Sequence, residues 1–275
     1  IVAAQLNADA ILDNTTYVLV GDGCIMEGVS SEASSLAGHW KLDNLVVIYD
    51  ANDICLDGPI TECFTEDVAA RYEAYGWHVL EIDGHNISEI NEAFVKARSL
   101  QGKPILVIAK TTIGKGSPNF AGTSDVHGKP LDSEEIGLTK DNLGIPKEPL
   151  FYVSDSVKEF FETHIKNLTD HYDQWKSEIS ALDSNESYSK VFQSFSSQEI
   201  SQNLYKELAE LDIKENMATR QSSSAVIQFL HDNVPNIVGG SADLSCSDNT
   251  MMKKSDIISA ENFKARNIKY LIRLI

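Results

Sequence analysis

The chain has 275 residues, of which 41 are Asp or Glu and 23 are Lys or Arg, so its formal net charge is −18 at pH 7. This acidic balance argues against binding to nucleic acid or to an anionic membrane surface, because both are held mainly by Lys and Arg. Hydrophobic residues make up 42% of the chain, which is enough for a folded core, and no apolar run approaches the roughly 20 residues that span a bilayer.

The first 110 residues alternate between short apolar runs and amphipathic stretches, which predicts alternating strands and helices. The predicted strands are residues 17–20, 45–49, 77–82 and 104–110. The predicted helices are residues 27–40, 65–75 and 88–100. Uninterrupted apolar strands separated by helices are typical of a parallel sheet covered on both faces. The predicted fold class is therefore α/β.

The character of the sequence changes after about residue 147. Residues 148–215 are rich in Ser, Glu and Lys and contain a long helical pattern at 157–175, which predicts a helical, Ser-rich connector. Beyond it we expect a helix over 219–233, a short strand over 236–238 and a loop over 239–244. The predicted organisation is a truncated α/β domain over 1–147, the connector over 148–215, and the beginning of a second α/β domain over 216–275.

Polar residues follow two neighbouring predicted strands. Gly21-Asp22-Gly23 comes directly after the first strand, and Asn52 comes shortly after the second. Because parallel sheets bind ligands at the carboxyl ends of their strands, Asp22 and Asn52 are expected to face one pocket. A carboxylate and an amide oxygen suit Mg²⁺ or Ca²⁺, and the glycines let the backbone approach phosphate oxygens. Each motif alone is more often an ordinary turn, whereas the pair on matched strand ends favours a metal and polyphosphate site.

The sequence around these residues resembles the transketolase family, in which Gly-Asp-Gly followed after about thirty residues by Asn is the thiamine diphosphate motif. The resemblance is near-continuous from residue 15 to about 147, weak over 148–215 and strong again to residue 244. The matching segments are Cys24-Ile25-Met26-Glu27-Gly28, Tyr49-Asp50-Ala51-Asn52, Asp57-Gly58, Arg71-Tyr72-Glu73-Ala74-Tyr75-Gly76-Trp77, Thr112-Ile113-Gly114-Lys115-Gly116-Ser117, His127-Gly128, Met217-Ala218-Thr219-Arg220 and Gly239-Gly240-Ser241-Ala242-Asp243-Leu244.

The resemblance implies the transfer of a two-carbon ketol unit between ketose and aldose phosphates, with thiamine diphosphate and Mg²⁺ or Ca²⁺ as cofactors. Residues 1–147 would bind the diphosphate and the metal, and residues 216–275 would begin the pyrimidine-binding domain. The implied metal ligands are the side chains of Asp22 and Asn52 and the backbone carbonyl of Ile54. The implied cofactor-binding residues are Asp22, Gly23, Asn52, His127, Asp243 and Leu244. The implied substrate-binding residues are His127, Arg220 and Ser247, and His127 is also the implied catalytic residue.

The resemblance also implies an oligomeric state, a class of substrates and a metabolic pathway. It implies a homodimer with shared active sites, sugar phosphates as substrates, and a place in the pentose phosphate pathway. The four cysteines have no Cys-x-x-Cys spacing, which favours free thiols over a zinc site or disulfides. Together these features indicate the cytoplasm.

The end of the chain departs from the family's pattern. Family members run from an Arg-Asn-Ile-x-Tyr-like strand into Gly-Ile/Val-Arg-Glu, whose glutamate bonds the aminopyrimidine of the cofactor. Here Leu271 stands in place of the glycine and Leu274 in place of the glutamate. Because the sequence also lacks an initiator Met and the family's N-terminal third, we interpret it as an internal fragment that is inactive by itself. Two alternatives stay open: a non-catalytic remnant or dimerisation module, and a relative of dihydroxyacetone synthase.

Overall fold

The computed structural model describes residues 13–183, 192, 195, 202–270 and 272. One compact unit comprises Asn14–Leu168, and the other contains the described residues from Thr169 onward. The division between the units falls inside a long helix, while the predicted domain boundaries after residues 147 and 215 stay predictions. Within the described part of the chain, no helix combines the length and the apolar composition that spanning a bilayer requires.

A four-stranded parallel sheet forms the centre of the first unit. Its strands are β1 (Thr16–Gly21), β2 (Leu45–Ala51), β5 (His78–Asp83) and β6 (Ile105–Lys110). They occur in the order β1-β2-β6-β5, and all three strand pairs are parallel. The four predicted strands agree with these strands to within two residues at each end, because continuous apolar runs are the signal of buried parallel strands. The unit also contains the two-residue strands β3 (Ile54–Cys55) and β4 (Gly58–Pro59), which form an antiparallel pair.

Several helices of the first unit begin after a side chain that accepts hydrogen bonds from the backbone of the first turn, although the first two helices have no such cap. Asp67 accepts from Ala70 N before the helix Val68–Ala74, and Asn86 accepts from Ser88 N and Glu89 N before the helix Ile87–Ser99. These caps satisfy N–H groups that have no partner within the helix. The helices are α1 (Asp22–Met26), α2 (Gly28–Trp40), α3 (Val68–Ala74), α4 (Ile87–Ser99), α5 (Ser133–Leu143) and α6 (Asp155–Asp183), which continues into the second unit.

Two of these helices were not predicted from the sequence. In the segment 21–23, predicted as a loop, Gly21 ends β1 and residues 22 and 23 already belong to α1, while α5 follows the long loop after β6. A helix of five residues is too short to produce a periodic pattern of apolar residues. The helix α5 buries mainly Glu135, so it lacks the apolar face from which helices are predicted.

Alternation along β2 sends side chains to two separate cores. Val47 and Tyr49 pack with residues of α1, α2 and α3 on one face of the sheet, while Val46 packs with Ala93 and Ala97 of α4 on the other. The edge strand β1 is different, because Leu19 is 74% exposed. The predicted cover on both faces therefore does not extend to β1 within the described part of the chain.

The second unit combines helices with a short parallel strand pair. It contains α7 (Gln202–Ala209), α8 (Thr219–Asn233), α9 (Ser245–Asp248), β7 (Gly239–Ser241) and β8 (Asn267–Lys269). The helical pattern at 157–175 is confirmed as part of α6, and the predicted helix at 219–233 is confirmed as α8. Most of the Ser-rich part of the connector, residues 184–201, lies outside the described residues apart from 192 and 195.

The predicted strand over 236–238 is wrong. The strand lies at Gly239–Ser241, in the segment where the glycines predicted a loop. A Cβ atom on Gly240 would lie 1.9 Å from Ile268 O, so the missing side chain is what allows β7 and β8 to approach each other. Glycine in a strand often marks such a close backbone approach.

The close contact at Gly38 gives a test of the packing of α2. A Cβ atom there would lie 1.9 Å from Tyr75 O and 3.3 Å from Trp77 Cδ1. We expect Gly38→Ala to lower the free energy of unfolding by about 1–3 kcal/mol, since overpacking forces the backbone to shift. Urea denaturation measures this change. Gly28→Ala in the same helix is the control, because nothing lies within 4 Å of its added Cβ; equal losses in both variants would contradict the prediction.

Candidate functional site

The register of the parallel sheet brings the two polar motifs together. Gly21 at the end of β1 lies opposite Asp50 in β2, and Asp50 lies opposite Ala109 in β6. Asp22 is the residue after Gly21, and Asn52 is two residues after Asp50. As expected for a parallel sheet, Asp22 and Asn52 therefore leave neighbouring strand ends at the same edge.

A cavity of about 610 Å³ lies at this edge of the sheet. Five of the predicted site residues line it: Asp22, Gly23, Asn52, Ile54 and His127. The cavity is also lined by Gly21, Cys24, Glu27, Asp50, Cys55, Leu56, Ile113 and Gly128. The structure thus brings together every predicted site residue of the first unit, while the roles of these residues stay predictions.

Asp22 is a buried carboxylate with one partnered and one unpartnered oxygen. The residue is 3% exposed, and the Tyr49 hydroxyl donates a 2.5 Å hydrogen bond to its Oδ1. Its Oδ2 is buried and has no hydrogen-bond partner within the described part of the chain. Burial raises the pKa of Asp22, although the hydrogen bond from Tyr49 and the nearby backbone N–H groups of Asn52 and Asp53, which do not reach Oδ2 in hydrogen-bond geometry, act to lower it. A cation beside Oδ2 would supply the missing partner.

The amide of Asn52 is held in one orientation. Its Nδ2 donates to Asp50 Oδ2 at 3.3 Å, and its Oδ1 accepts from Ile54 N at 3.1 Å. Asp50 is itself held by a hydrogen bond from Thr111 Oγ1. An amide oxygen has two lone pairs, so Oδ1 keeps one for a further contact. Between Asn52 and Ile54 the backbone turns through Asp53, whose φ of 64° lies in the left-handed region that Asp adopts more readily than most residues.

These oxygens fit a hard divalent cation. Among the described residues, no group of three or more His, Cys, Asp or Glu side chains is placed to hold a metal ion. A cation at this site would therefore rest on the one unpartnered oxygen of Asp22 and on neutral oxygens of Asn52 and the backbone. Oxygen ligands of this kind suit Mg²⁺ or Ca²⁺, and a single carboxylate would leave the ion with a net positive charge.

His127 lies half-buried at the end of a long loop that is anchored at its middle. The anchor is Glu135 of α5, which is 4% exposed and accepts hydrogen bonds from Ser117 Oγ, Asn119 N and Asn119 Nδ2. These donors stabilise the charged form and lower the pKa of Glu135. The loop that carries His127 to the cavity is thus tied to α5 by one carboxylate.

Sequence reasoning missed Tyr49 and Glu135. A tyrosine in a buried strand needs a partner for its hydroxyl. Tyr49 lies near the end of the strand that neighbours Gly-Asp-Gly, so Asp22 could have been predicted as that partner. Burial and the charge of Asp22 raise the pKa of Tyr49, which keeps the hydroxyl protonated as a donor. Glu135 gave no comparable signal, because its partners Ser117 and Asn119 precede it by 18 and 16 residues with no periodic relation.

The remaining predicted site residues belong to the second unit. Arg220 is exposed in the first turn of α8, and Ser247 is exposed in α9, a helix that contacts α8. Asp243, whose φ is 63°, and Leu244, which is 59% exposed, form the turn between β7 and α9. Their contacts with a cofactor or a substrate stay predictions. Leu271 and Leu274 lie outside the described residues.

The chain is similar to a known protein family over most of its length. A sequence model of the family described as "Transketolase, thiamine diphosphate binding domain" matches residues 1–203. The chain belongs to the transketolase family. A transketolase of Staphylococcus aureus (strain MRSA252) is 41% identical over 268 residues, which are 96% of this chain and 40% of that protein. The chain thus spans about 40% of the length of the curated transketolases it matches.

Solved transketolase structures share the fold. Transketolase from Leishmania mexicana is similar with a TM-score of 0.88 at 32% identity, over 99% of this chain and 42% of that one. Transketolase from Pichia stipitis in complex with sedoheptulose-7-phosphate is similar with a TM-score of 0.87 at 35% identity, over 99% of this chain and 43% of that one. The parallel sheet flanked by helices is therefore the architecture of transketolases.

The Glu135 anchor predicts a pH-dependent contribution to stability. Because its pKa is lowered from the ordinary 4.5, its charged form stabilises the fold above about pH 4.5 and loses this effect as the pH falls through its folded pKa. We expect Glu135→Gln to lower the Tm by about 5 °C at pH 7 and by less at pH 4. The control is Glu134→Gln at the exposed neighbouring residue. A difference in Tm between the wild type and Glu135→Gln that is the same at both pH values would contradict the prediction.

Proposed function

We propose that this chain provides the metal- and diphosphate-binding side of a transketolase active site. The whole enzyme would transfer a two-carbon ketol unit between ketose and aldose phosphates. The observation that carries the proposal is the buried Oδ2 of Asp22, which lacks a partner among the described residues and belongs to a residue lining the same cavity as Gly23, Asn52 and His127.

The described residues suggest how a divalent cation and a diphosphate would be held together. Asp22, Asn52 and the carbonyl of Ile54 would bind Mg²⁺ or Ca²⁺, and the remaining positive charge would attract diphosphate oxygens. The packing of the protein does not itself demand a glycine at position 23, since an added Cβ would meet Cys55 Sγ at an ordinary 3.8 Å. The missing side chain instead leaves room for a diphosphate oxygen to reach the Gly23 N–H.

Thiamine diphosphate, when bound, supplies the carbon nucleophile that cleaves the ketose. The chain's own residues would bind and orient the cofactor and the substrate. His127 can donate to a diphosphate oxygen and to a substrate oxygen from its place in the cavity wall. Asp243 and Leu244 would face the cofactor, and Arg220 with Ser247 would hold the phosphate of the sugar, for which a guanidinium fork is well suited.

Several properties of the whole enzyme belong to the same proposal. The Pichia stipitis relative was solved with sedoheptulose-7-phosphate, which supports sugar phosphates as substrates here. We include a homodimer with shared active sites and a place in the pentose phosphate pathway. All four cysteines are free thiols, which supports the cytoplasm as the location.

The isolated chain is expected to lack turnover. Leu274 stands where family members have the glutamate that bonds the aminopyrimidine, and its side chain has no proton to donate. Losing a general acid–base group costs on the order of 10²–10⁴ in rate. This position is the specific observation that favours the second candidate, a chain that keeps the fold but performs no chemistry.

Calorimetry with Mg²⁺ and thiamine diphosphate tests the proposed site on the 275-residue chain. We expect Asp22→Asn to weaken binding by more than about 100-fold, because it alters a metal ligand directly and outer-shell losses already reach 10–100-fold. Glu92→Gln is the control, since it removes one negative charge from an exposed position on α4. Equal binding by Asp22→Asn and the wild type would refute the site. A coupled ketol-transfer assay run beside it should show no turnover by the isolated chain.

The role of Arg220 is tested in an active transketolase that contains this chain. We expect Arg220→Ala to raise the KM for phosphorylated sugars by about 10- to 100-fold, the range expected for losing a hydrogen bond to a charged group. Binding of thiamine diphosphate should change little. An unphosphorylated ketose is the control substrate, and its KM should stay the same. An unchanged KM for the phosphorylated sugars would mean that their phosphate is held elsewhere.

A further inference from the structure

Tyr49 is the residue that fixes the orientation of the Asp22 carboxylate. It lies near the end of β2 and is 4% exposed, with its ring in the core formed by Ile25, Ala37 and Trp77. Its hydroxyl donates to Asp22 Oδ1 at 2.5 Å. The ring is therefore held by packing, and the hydroxyl extends the rigidity of the core to one oxygen of the carboxylate.

This hydrogen bond gives the two oxygens of Asp22 different roles. A carboxylate can turn about its terminal bond with little preference for one rotamer, so either oxygen would be available to a ligand if neither were held. Here Oδ1 is occupied by Tyr49, and Oδ2 is left without a partner among the described residues.

We propose that Tyr49 is a positioning residue for the divalent cation: its hydroxyl holds Asp22 so that Oδ2 is presented to the ion. The inference rests on the proposed function, because it requires that a cation binds at Asp22. It gives a role to a side chain that is not among the proposed ligands of the ion and acts through Asp22. Residues that orient metal ligands in this way typically change metal affinity by 10–100-fold when they are removed.

The two candidate cations should respond differently to the loss of the hydroxyl. Mg²⁺ demands a near-ideal octahedron of oxygens, whereas Ca²⁺ accepts a flexible and larger set. An Asp22 carboxylate that is free to turn would therefore weaken the binding of Mg²⁺ more than the binding of Ca²⁺. A general loss of packing would not distinguish between the two ions.

The chain contains a matched control for this experiment. Tyr72 is 3% exposed in the same core, and its hydroxyl oxygen accepts a 3.1 Å hydrogen bond from Ser34 Oγ. The substitutions Tyr49→Phe and Tyr72→Phe each remove one buried hydroxyl and keep the ring. Of the two hydroxyls, the one of Tyr49 is bonded to Asp22.

The test measures binding of Mg²⁺ and of Ca²⁺ by calorimetry, with thiamine diphosphate present, to the full chain and to both variants. The melting temperature without metal reports folding, and the rise in Tm on adding Mg²⁺ gives a second measure of binding that remains readable in a less stable variant. We expect Tyr49→Phe to weaken Mg²⁺ binding by about 10–100-fold and Ca²⁺ binding by a smaller factor. Tyr72→Phe should bind both ions like the wild type.

Three results would overturn the inference. Wild-type affinity and a wild-type rise in Tm in Tyr49→Phe would show that Asp22 needs no help from the hydroxyl. Equal losses in Tyr49→Phe and Tyr72→Phe, or equal losses for both ions, would show a packing effect alone. A wild-type chain that binds neither ion would overturn the proposed metal site together with this inference, whereas the first two results leave the metal site standing.

Discussion

An ionised carboxylate that is taken out of water destabilises the fold unless its oxygens find partners, and Asp22 has a partner for only one of them among the described residues. The rest of the site can be understood from this constraint. The parallel register places Asn52 beside Asp22, and Asp50 fixes the amide of Asn52. Tyr49 connects the carboxylate to the core. A cation would give Asp22 Oδ2 the partner that the described residues do not supply.

Both units place their candidate ligand residues directly after parallel strands. In the first unit Asp22 follows β1 and Asn52 follows β2, while in the second unit Asp243 and Leu244 follow β7. The carboxyl ends of parallel strands are where open α/β sheets bind ligands. The two units therefore apply the same structural rule to different parts of the proposed function. The first unit would supply oxygen ligands for a cation, and the second would supply contacts to the cofactor.

The features that could be predicted from the sequence are those that depend on the pattern of residues within a short segment. The strands β1, β2 and β6 consist mainly of apolar residues, and the placement of Asp22 and Asn52 at one edge of the sheet follows from the geometry of parallel strands. The sequence could not predict contacts that join distant segments, such as Glu135 with Ser117 and Asn119, because no pattern relates these positions. It also misplaced β7, since Gly239-Gly240 is typical of a loop, and the pairing with β8 decides the conformation.

The side chains of β2 alternate between the two faces of the sheet, and this limits which changes in the length of the strand the site can tolerate. Tyr49 and Asp50 are adjacent, yet Tyr49 holds Asp22 and Asp50 holds Asn52. A shift of the strand by one residue would exchange the faces on which its side chains lie, and both supports would be lost in one event. A single-residue insertion or deletion in β2 should therefore be more damaging than replacing either residue. Any attempt to transplant this site into another parallel sheet must preserve the length of β2 as strictly as its residues.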